Sequence, residues 1–219
     1  MASLLTPRQC GRSFDCGAQL RRTFAQDFGC RLPSLRSSRL QGASTCYTRR
    51  KNMRVLGIDC GGEYTGYGVV DQDSSGTLHH VCSGAIRLPS RQSLELRLLK
   101  ICRGLTEIIA GFSPEVVAIE DVFYAVNAKS ALKLGHVRGV AMMTAAQAGL
   151  AVVAYSPLSI KSAVVGYGRA EKSQVQLMVA RLLQLPEPPK PPDVADALAI
   201  AICHLHTAAT LRRQAAAAR

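Results

Sequence analysis

The chain has 219 residues, 47% of them hydrophobic, which suits one cored domain with an appendage. No apolar run reaches bilayer-spanning length, so a soluble protein without a membrane partner is expected, and none of the eight cysteines forms a C-x-x-C pair, which excludes the usual zinc spacing. The formal net charge of +12 favours an anionic partner such as nucleic acid, although residues 1–52 hold ten Lys/Arg against two Asp/Glu (+8) and residues 53–219 only seventeen against thirteen (+4).

Residues 1–52 show no sustained periodicity; they are rich in Arg and Ser and broken by Gly and Pro. They fit an organelle transit peptide or sequence upstream of a start at Met53, and a disordered basic extension is expected either way. The organised unit is expected over 53–213. Val55-Leu56-Gly57-Ile58-Asp59 reads as a buried strand that stops at an acid, and Gly61-Gly62 turns the chain back. Strands are expected at 55–59, 66–71 and 77–87, the last two joined by a turn at Asp73-Ser74-Ser75-Gly76, as an antiparallel meander. Leu94, Leu98, Ile101, Leu105, Ile108 and Ile109 recur at helical spacing, so 91–111 is a predicted amphipathic helix ended by Ser113-Pro114. Val116-Val117-Ala118-Ile119-Glu120 reads as a strand buried on both faces, and it too ends on an acid. A long helix capped by Asn127 is expected to run to about Ala148 and stop at Gly149. A fifth strand at 151–155 leads to Ser156-Pro157, a helix start. Gly166-Tyr167-Gly168 is a loop, and 170–185 a helix. Five prolines between Pro186 and Pro192 make a rigid connector. The last helix is expected from Asp193 to about Arg213, with 214–219 a frayed tail. Cys60, Cys82, Cys102 and Cys203 fall in this unit, three of them in apolar stretches, and reduced thiols are expected. The fold class is α/β: a five-stranded mixed sheet flanked by helices on both faces.

Four carboxylates stand out. Asp59 and Glu120 end the first and fourth strands; if these are parallel neighbours, the acids lie side by side where open α/β sheets place their sites. Asp193 and Asp196, at i and i+3, share a face in the first turn of the last helix. Each acid alone has an ordinary use, as turn former or as partner to a helix dipole worth about 0.3–1 kcal/mol. Together they repel, and cations would neutralise them; hard oxygen ligands suit Mg²⁺, with Mn²⁺ as substitute. Two such ions about 3.5–4 Å apart can clamp the attacking and leaving oxygens of an in-line displacement at phosphorus. Asp121 is set aside, because it faces the opposite side if the strand continues. His136, His204 and His206 are assigned to surface or packing.

Gly57-Ile58-Asp59-x-Gly61 followed by Thr65-Gly66-Tyr67-Gly68 resembles the opening motif of the bacterial Holliday junction resolvase family RuvC. Ile119-Glu120-x-Val122-Phe123 resembles its second motif. Asn127-Ala128, Ser130-Ala131-Leu132-Lys133-Leu134-Gly135 and Arg138-Gly139 resemble its long helix. Val164-Val165-Gly166 and Ala170-Glu171-Lys172-Ser173-Gln174-Val175 resemble its basic loop and following helix, and Asp193-x-Ala195-Asp196-Ala197-Leu198-Ala199-Ile200-Ala201 its last acidic motif. The resemblance spans about 53–207. It implies a ribonuclease-H-like fold, a homodimer, and Asp59, Glu120, Asp193 and Asp196 as catalytic ligands of two Mg²⁺ ions. It also implies a cytoplasmic bacterial enzyme making paired symmetrical nicks in four-way DNA junctions, in recombination and repair, with the branch-migration proteins RuvA and RuvB. Cys60 stands where proline is common and Asp121 where a neutral residue is common; neither change removes a ligand.

Five further residues are assigned to DNA. Phe123, just past Glu120, would stack on an unpaired base, worth about 1–3 kcal/mol. Lys161 and Lys172 flank the Gly166-Tyr167-Gly168 loop and would hold the scissile phosphate. Lys133 and Arg138, on the long helix, would contact the DNA backbone. Two rivals compete. An actin-like ATPase shares the strand-Asp-Gly opening but needs a second phosphate-binding lobe, and ATP hydrolysis would reveal it. A catalytically silent junction-binding subunit predicts binding without nicking.

Overall fold

The computed structural model describes residues 52–121 and 128–218. Its strands are β1 Met53–Cys60, β2 Tyr64–Gln72, β3 Leu78–Arg87, β4 Val116–Glu120 and β5 Ala151–Tyr155. Its helices are α1 Leu94–Phe112, α2 Ala128–Gln147, α3 Pro157–Val165, α4 Lys172–Leu182 and α5 Pro192–Ala217. The sheet order is β3-β2-β1-β4-β5. β1–β2 and β2–β3 pair antiparallel, whereas β1–β4 and β4–β5 are parallel. This is the expected five-stranded mixed sheet.

Strand alternation divides the core in two. Val55, Val116 and Ala118 face a layer built from α3, α4 and α5. Leu56, Ile58, Val117 and Ile119 face the opposite layer, where α1 buries Ile101, Leu105, Ile108 and Phe112 at helical spacing. Side chains of this size contribute about 1.5–3 kcal/mol each when buried. Helix ends follow local chemistry. Ser113 takes a left-handed conformation (φ 48°) to close α1. Ser156 Oγ accepts the Ser159 N–H at 3.1 Å, with Pro157 opening α3. A reciprocal Glu171–Gln174 capping box opens α4, which therefore starts two residues later than the predicted 170. Arg54 braces the sheet's far end: it binds Asp71 through two nitrogens (2.6 and 2.8 Å) and donates to the Phe112 carbonyl at 2.6 Å.

α5 crosses one face of the sheet, and glycines let it sit close. A Cβ on Gly57 would lie 2.1 Å from the Ala197 carbonyl oxygen, and one on Gly66 would lie 2.0 Å from that of Asp193. Two expectations about α5 need correction. It continues to Ala217, past the predicted end at Arg213, because alanine is the strongest helix former. It also holds a window long and apolar enough to cross a bilayer, contrary to the sequence reading, but 61% of that window is buried, as befits a core helix. Cys60, Cys102 and Cys203 are free thiols, whereas Cys82 is disulfide-bonded and departs from the expectation of reduced cysteines.

Candidate active site

The parallel register of β1 and β4 runs from Val55–Val116 to Ile58–Ile119. Asp59 and Glu120 come one step later, each on the α5 side of its strand. Two carboxylates thus stand next to each other at the carboxyl edge of the central strands, where side-chain direction is dictated by strand alternation. α5 brings the other pair. Its first turn is pressed against β2 at Gly66, and Asp193 Oδ1 lies 3.0 Å from where a Gly61 Cβ would be. Asp196, one turn on, forms an ion pair with Lys172 Nζ at 2.5 Å.

Asp59 lies within the fields of the other three acids. Burial pushes the Asp59 carboxyl up to about 7, and the charges of Asp196, Glu120 and Asp193 add to the rise while Lys172 opposes it. Glu120 is raised as well, first by burial and then by Asp196, against Lys172 and Lys161. Partial burial works against the charge on Lys172. Its hydrogen bond to Asp196, with the fields of Asp196, Asp59 and Asp193, outweighs that and leaves its pKa raised. A cavity of about 250 Å³ is lined by Glu120, Asp196, Lys161 and Lys172 over a floor that includes Ile160, Val175 and Ile200. Asp59 and Asp193 are not part of that lining.

Oxygen donors, a surplus of negative charge and an ammonium drawn into the cluster all fit a hard divalent cation. The side chains are nonetheless not closed around a point: among the described residues, no three His, Cys, Asp or Glu are gathered tightly enough to hold one ion. Like charges that share a pocket spread apart, and a cation would have to draw them in.

The predicted DNA contacts divide. Lys161 and Lys172 line the cavity. Lys133 is exposed on α2. Phe123, with Asn127, lies outside the described residues. Arg138 is turned inward: Nη2 donates to Asp121 Oδ1 at 3.2 Å and Nε to the Glu120 carbonyl at 3.3 Å, with its side chain only 21% exposed. The histidines serve in packing or at the surface, with His204 Nδ1 2.9 Å from the Tyr155 hydroxyl. Sequence reasoning missed three supports of the site: the Gly57–Gly66 seat for α5, the inward Arg138, and Arg97, whose guanidinium donates to the Gly62 carbonyl in the turn after Asp59. Glycine and arginine positions carry no period of their own, so only the neighbouring elements give them meaning.

Known proteins share this architecture. A family model described as crossover junction endodeoxyribonuclease RuvC matches residues 55–204. The crossover junction endodeoxyribonuclease RuvC of Koribacter versatilis is 66% identical over 166 residues, covering 76% of this chain and 100% of its own. The solved structure of Thermus thermophilus RuvC superposes with a TM-score of 0.67 at 35% identity, covering 72% of this chain and 96% of that one. A second structure, of T. thermophilus RuvC in complex with a Holliday junction substrate, also gives 0.67, at 32% identity over the same shares. The four acids and their sheet thus stand in a chain that belongs to the crossover junction endodeoxyribonuclease RuvC family.

Proposed function

We propose that this chain is a structure-specific endonuclease that resolves four-way DNA junctions by paired nicks, and that Asp59, Glu120, Asp193 and Asp196 are its catalytic, metal-binding carboxylates. The observation that carries the reading is the meeting of strand-end acids with the first turn of α5 in one mutually repelling group. A relative solved with a Holliday junction supports the choice of substrate. Two Mg²⁺ ions, or Mn²⁺ in their place, would supply an activated water and a clamp on the leaving 3′ oxygen.

The chain's own residues supply the rest. The sheet sets where the Asp59 and Glu120 side chains start, and a cation would draw their carboxylates together. Lys161 and Lys172 line the same cavity and present positive charge to a phosphate that enters it. Lys172 would leave Asp196 for the phosphate once a cation takes over its neutralising role. Lys133 would add a backbone contact from α2. Phe123 would stack on a base at the junction centre.

Residues 53–213 form the nuclease unit in this reading. The enzyme acts as a homodimer, in the bacterial cytoplasm, with RuvA and RuvB as partners. An exposed face of α2 supports self-association: Leu132 (65% exposed) and Met143 (47%) flank Gly135 and Gly139 at helical spacing, and a Cβ on either glycine would meet nothing. The test is incubation with a synthetic four-way junction, a matched duplex and ATP, each with and without Mg²⁺. Metal-dependent nicking confined to the junction is expected. ATP turnover, or junction binding without cleavage at any Mg²⁺ or Mn²⁺ level, would overturn the reading.

A further inference from the structure

We propose that Arg138 is a positioning residue: from α2 it grips the carboxyl end of β4 and so holds Glu120 beside Asp59. The proposal rests on the nuclease reading above for its consequence, but not for its geometry.

β4 is five residues long. Its pairing with β1 runs to Ile58–Ile119, so the step that carries Asp59 and Glu120 lies at the end of that ladder. On the other side, β5 holds it through the Glu120–Tyr155 pair and the Asp121 N–H to Tyr155 carbonyl bond of 2.7 Å. One flank of the strand end thus lies at the limit of its ladder, beside a second carboxylate. A strand end in this position frays unless something outside the ladder holds it.

Arg138 supplies that hold. Nε donates to the Glu120 main-chain carbonyl at 3.3 Å and Nη2 to Asp121 Oδ1 at 3.2 Å, so one planar fork takes two successive residues. Alternation explains how it does so without entering the site. Glu120 points toward α5, Asp121 points the other way, and α2 packs on that second face. Arg138 therefore approaches from behind the carboxylates. A guanidinium 79% withdrawn from solvent, with Nε and Nη2 engaged, has poor reach to a phosphate. By contrast, Lys133 on the same helix is exposed. The two residues, similar in sequence context, do different work: Lys133 contacts DNA and Arg138 places a ligand.

The expected effects separate these roles in the full-length protein. Arg138→Ala leaves junction affinity, measured in Ca²⁺ by fluorescence anisotropy, within about twofold, and leaves the slope of log affinity against log salt unchanged. Its single-turnover nicking rate at saturating junction falls roughly tenfold to a hundredfold, the size of loss that a misplaced catalytic group gives. The Mn²⁺ concentration for half-maximal rate rises. Lys133→Ala does the reverse, losing affinity and about one unit of salt slope with its rate at saturation intact. Asp121→Asn keeps an acceptor for Nη2 and stays near the parent rate. An Arg138→Ala variant that loses one unit of salt slope and nicks normally at saturation would make Arg138 a phosphate contact and overturn the proposal. Amide hydrogen exchange gives a reading independent of cleavage. Arg138→Ala, or Arg138→Gln if the alanine variant does not fold, should speed exchange at Ile119, Glu120 and Asp121 by at least about tenfold while β2 is unaffected. Unchanged exchange there would sink the clamp. A parent enzyme that never nicks would sink the nuclease reading instead and leave the exchange test standing.

Discussion

The Asp59 carboxyl, with its pKa at about 7 against an ordinary 3.8, keeps a proton in the folded chain that the unfolded chain has already released. Stability from such a group is fully present below about 3.8 and is lost as pH rises through about 7. In EDTA, therefore, the protein should become less heat-stable between those limits. Asp59→Asn removes the buried charge. Its melting temperature should exceed the parent's at pH 8 and converge with it near pH 4, read by thermal unfolding at a series of pH values. A gap that does not change with pH would show that neither burial nor the neighbouring acids raise this carboxyl. Divalent cations should reverse the trend, stabilising the parent more at pH 8 than at pH 5, because proton and cation compete for the same oxygens. The same Asn variant, and Glu120→Gln, should bind a junction normally and fail to nick it. Nicking by either variant at the parent rate would remove that acid from the ligand set.

β1, β4 and α5 matter as a set of three, and the amino-acid sequence discloses them unequally. Both strands announce themselves through short apolar runs that end on an acid, since a strand buried on both faces leaves no polar residue until it exits the core. Their adjacency was a condition the sequence left open; the sheet order β3-β2-β1-β4-β5 meets it and sets Asp59 beside Glu120. The depth of α5 was not legible. Gly57 and Gly66 read only as members of the first two strands, whereas in the folded chain they are the floor on which the helix backbone rests. The inward turn of Arg138 was equally hidden, because a cation on a helix reads as solvated until the facing strand is in place. The glycine seat is open to test. Gly66→Ala forces a methyl group toward a carbonyl that stands 2.0 Å from the Cβ position, so backbone must move. Overpacking of this kind costs about 1–3 kcal/mol. The displacement falls on Asp193 itself, so nicking should drop further than stability does. A Gly66→Ala protein that loses stability yet cleaves at the parent rate would show that α5 tolerates a shift without moving its acids.

Paired nicks in a two-fold substrate require two sites related by a matching axis, and an isologous dimer supplies it through one self-complementary surface. The exposed stripe of Leu132, Gly135, Gly139 and Met143 on α2 has the properties of such a surface: large apolar ends, and a centre where backbones can approach. The same helix carries Lys133 outward and Arg138 inward, so its three sides would serve partner, DNA and active site together. A dimer built on this stripe would be separable from the fold. Leu132→Glu with Met143→Glu places charge on residues that are already exposed, so the melting temperature of the monomer unit should change little. Sedimentation velocity should then report a monomer where the parent gives a dimer. Nicks in opposite strands should lose their coupling, while metal binding to the acid cluster, measured by calorimetry, persists. Should the double variant sediment as a dimer and still cut both strands together, the two-fold axis would run through some other face. β5, the exposed edge strand on the same side of the sheet, would then be the next surface to change.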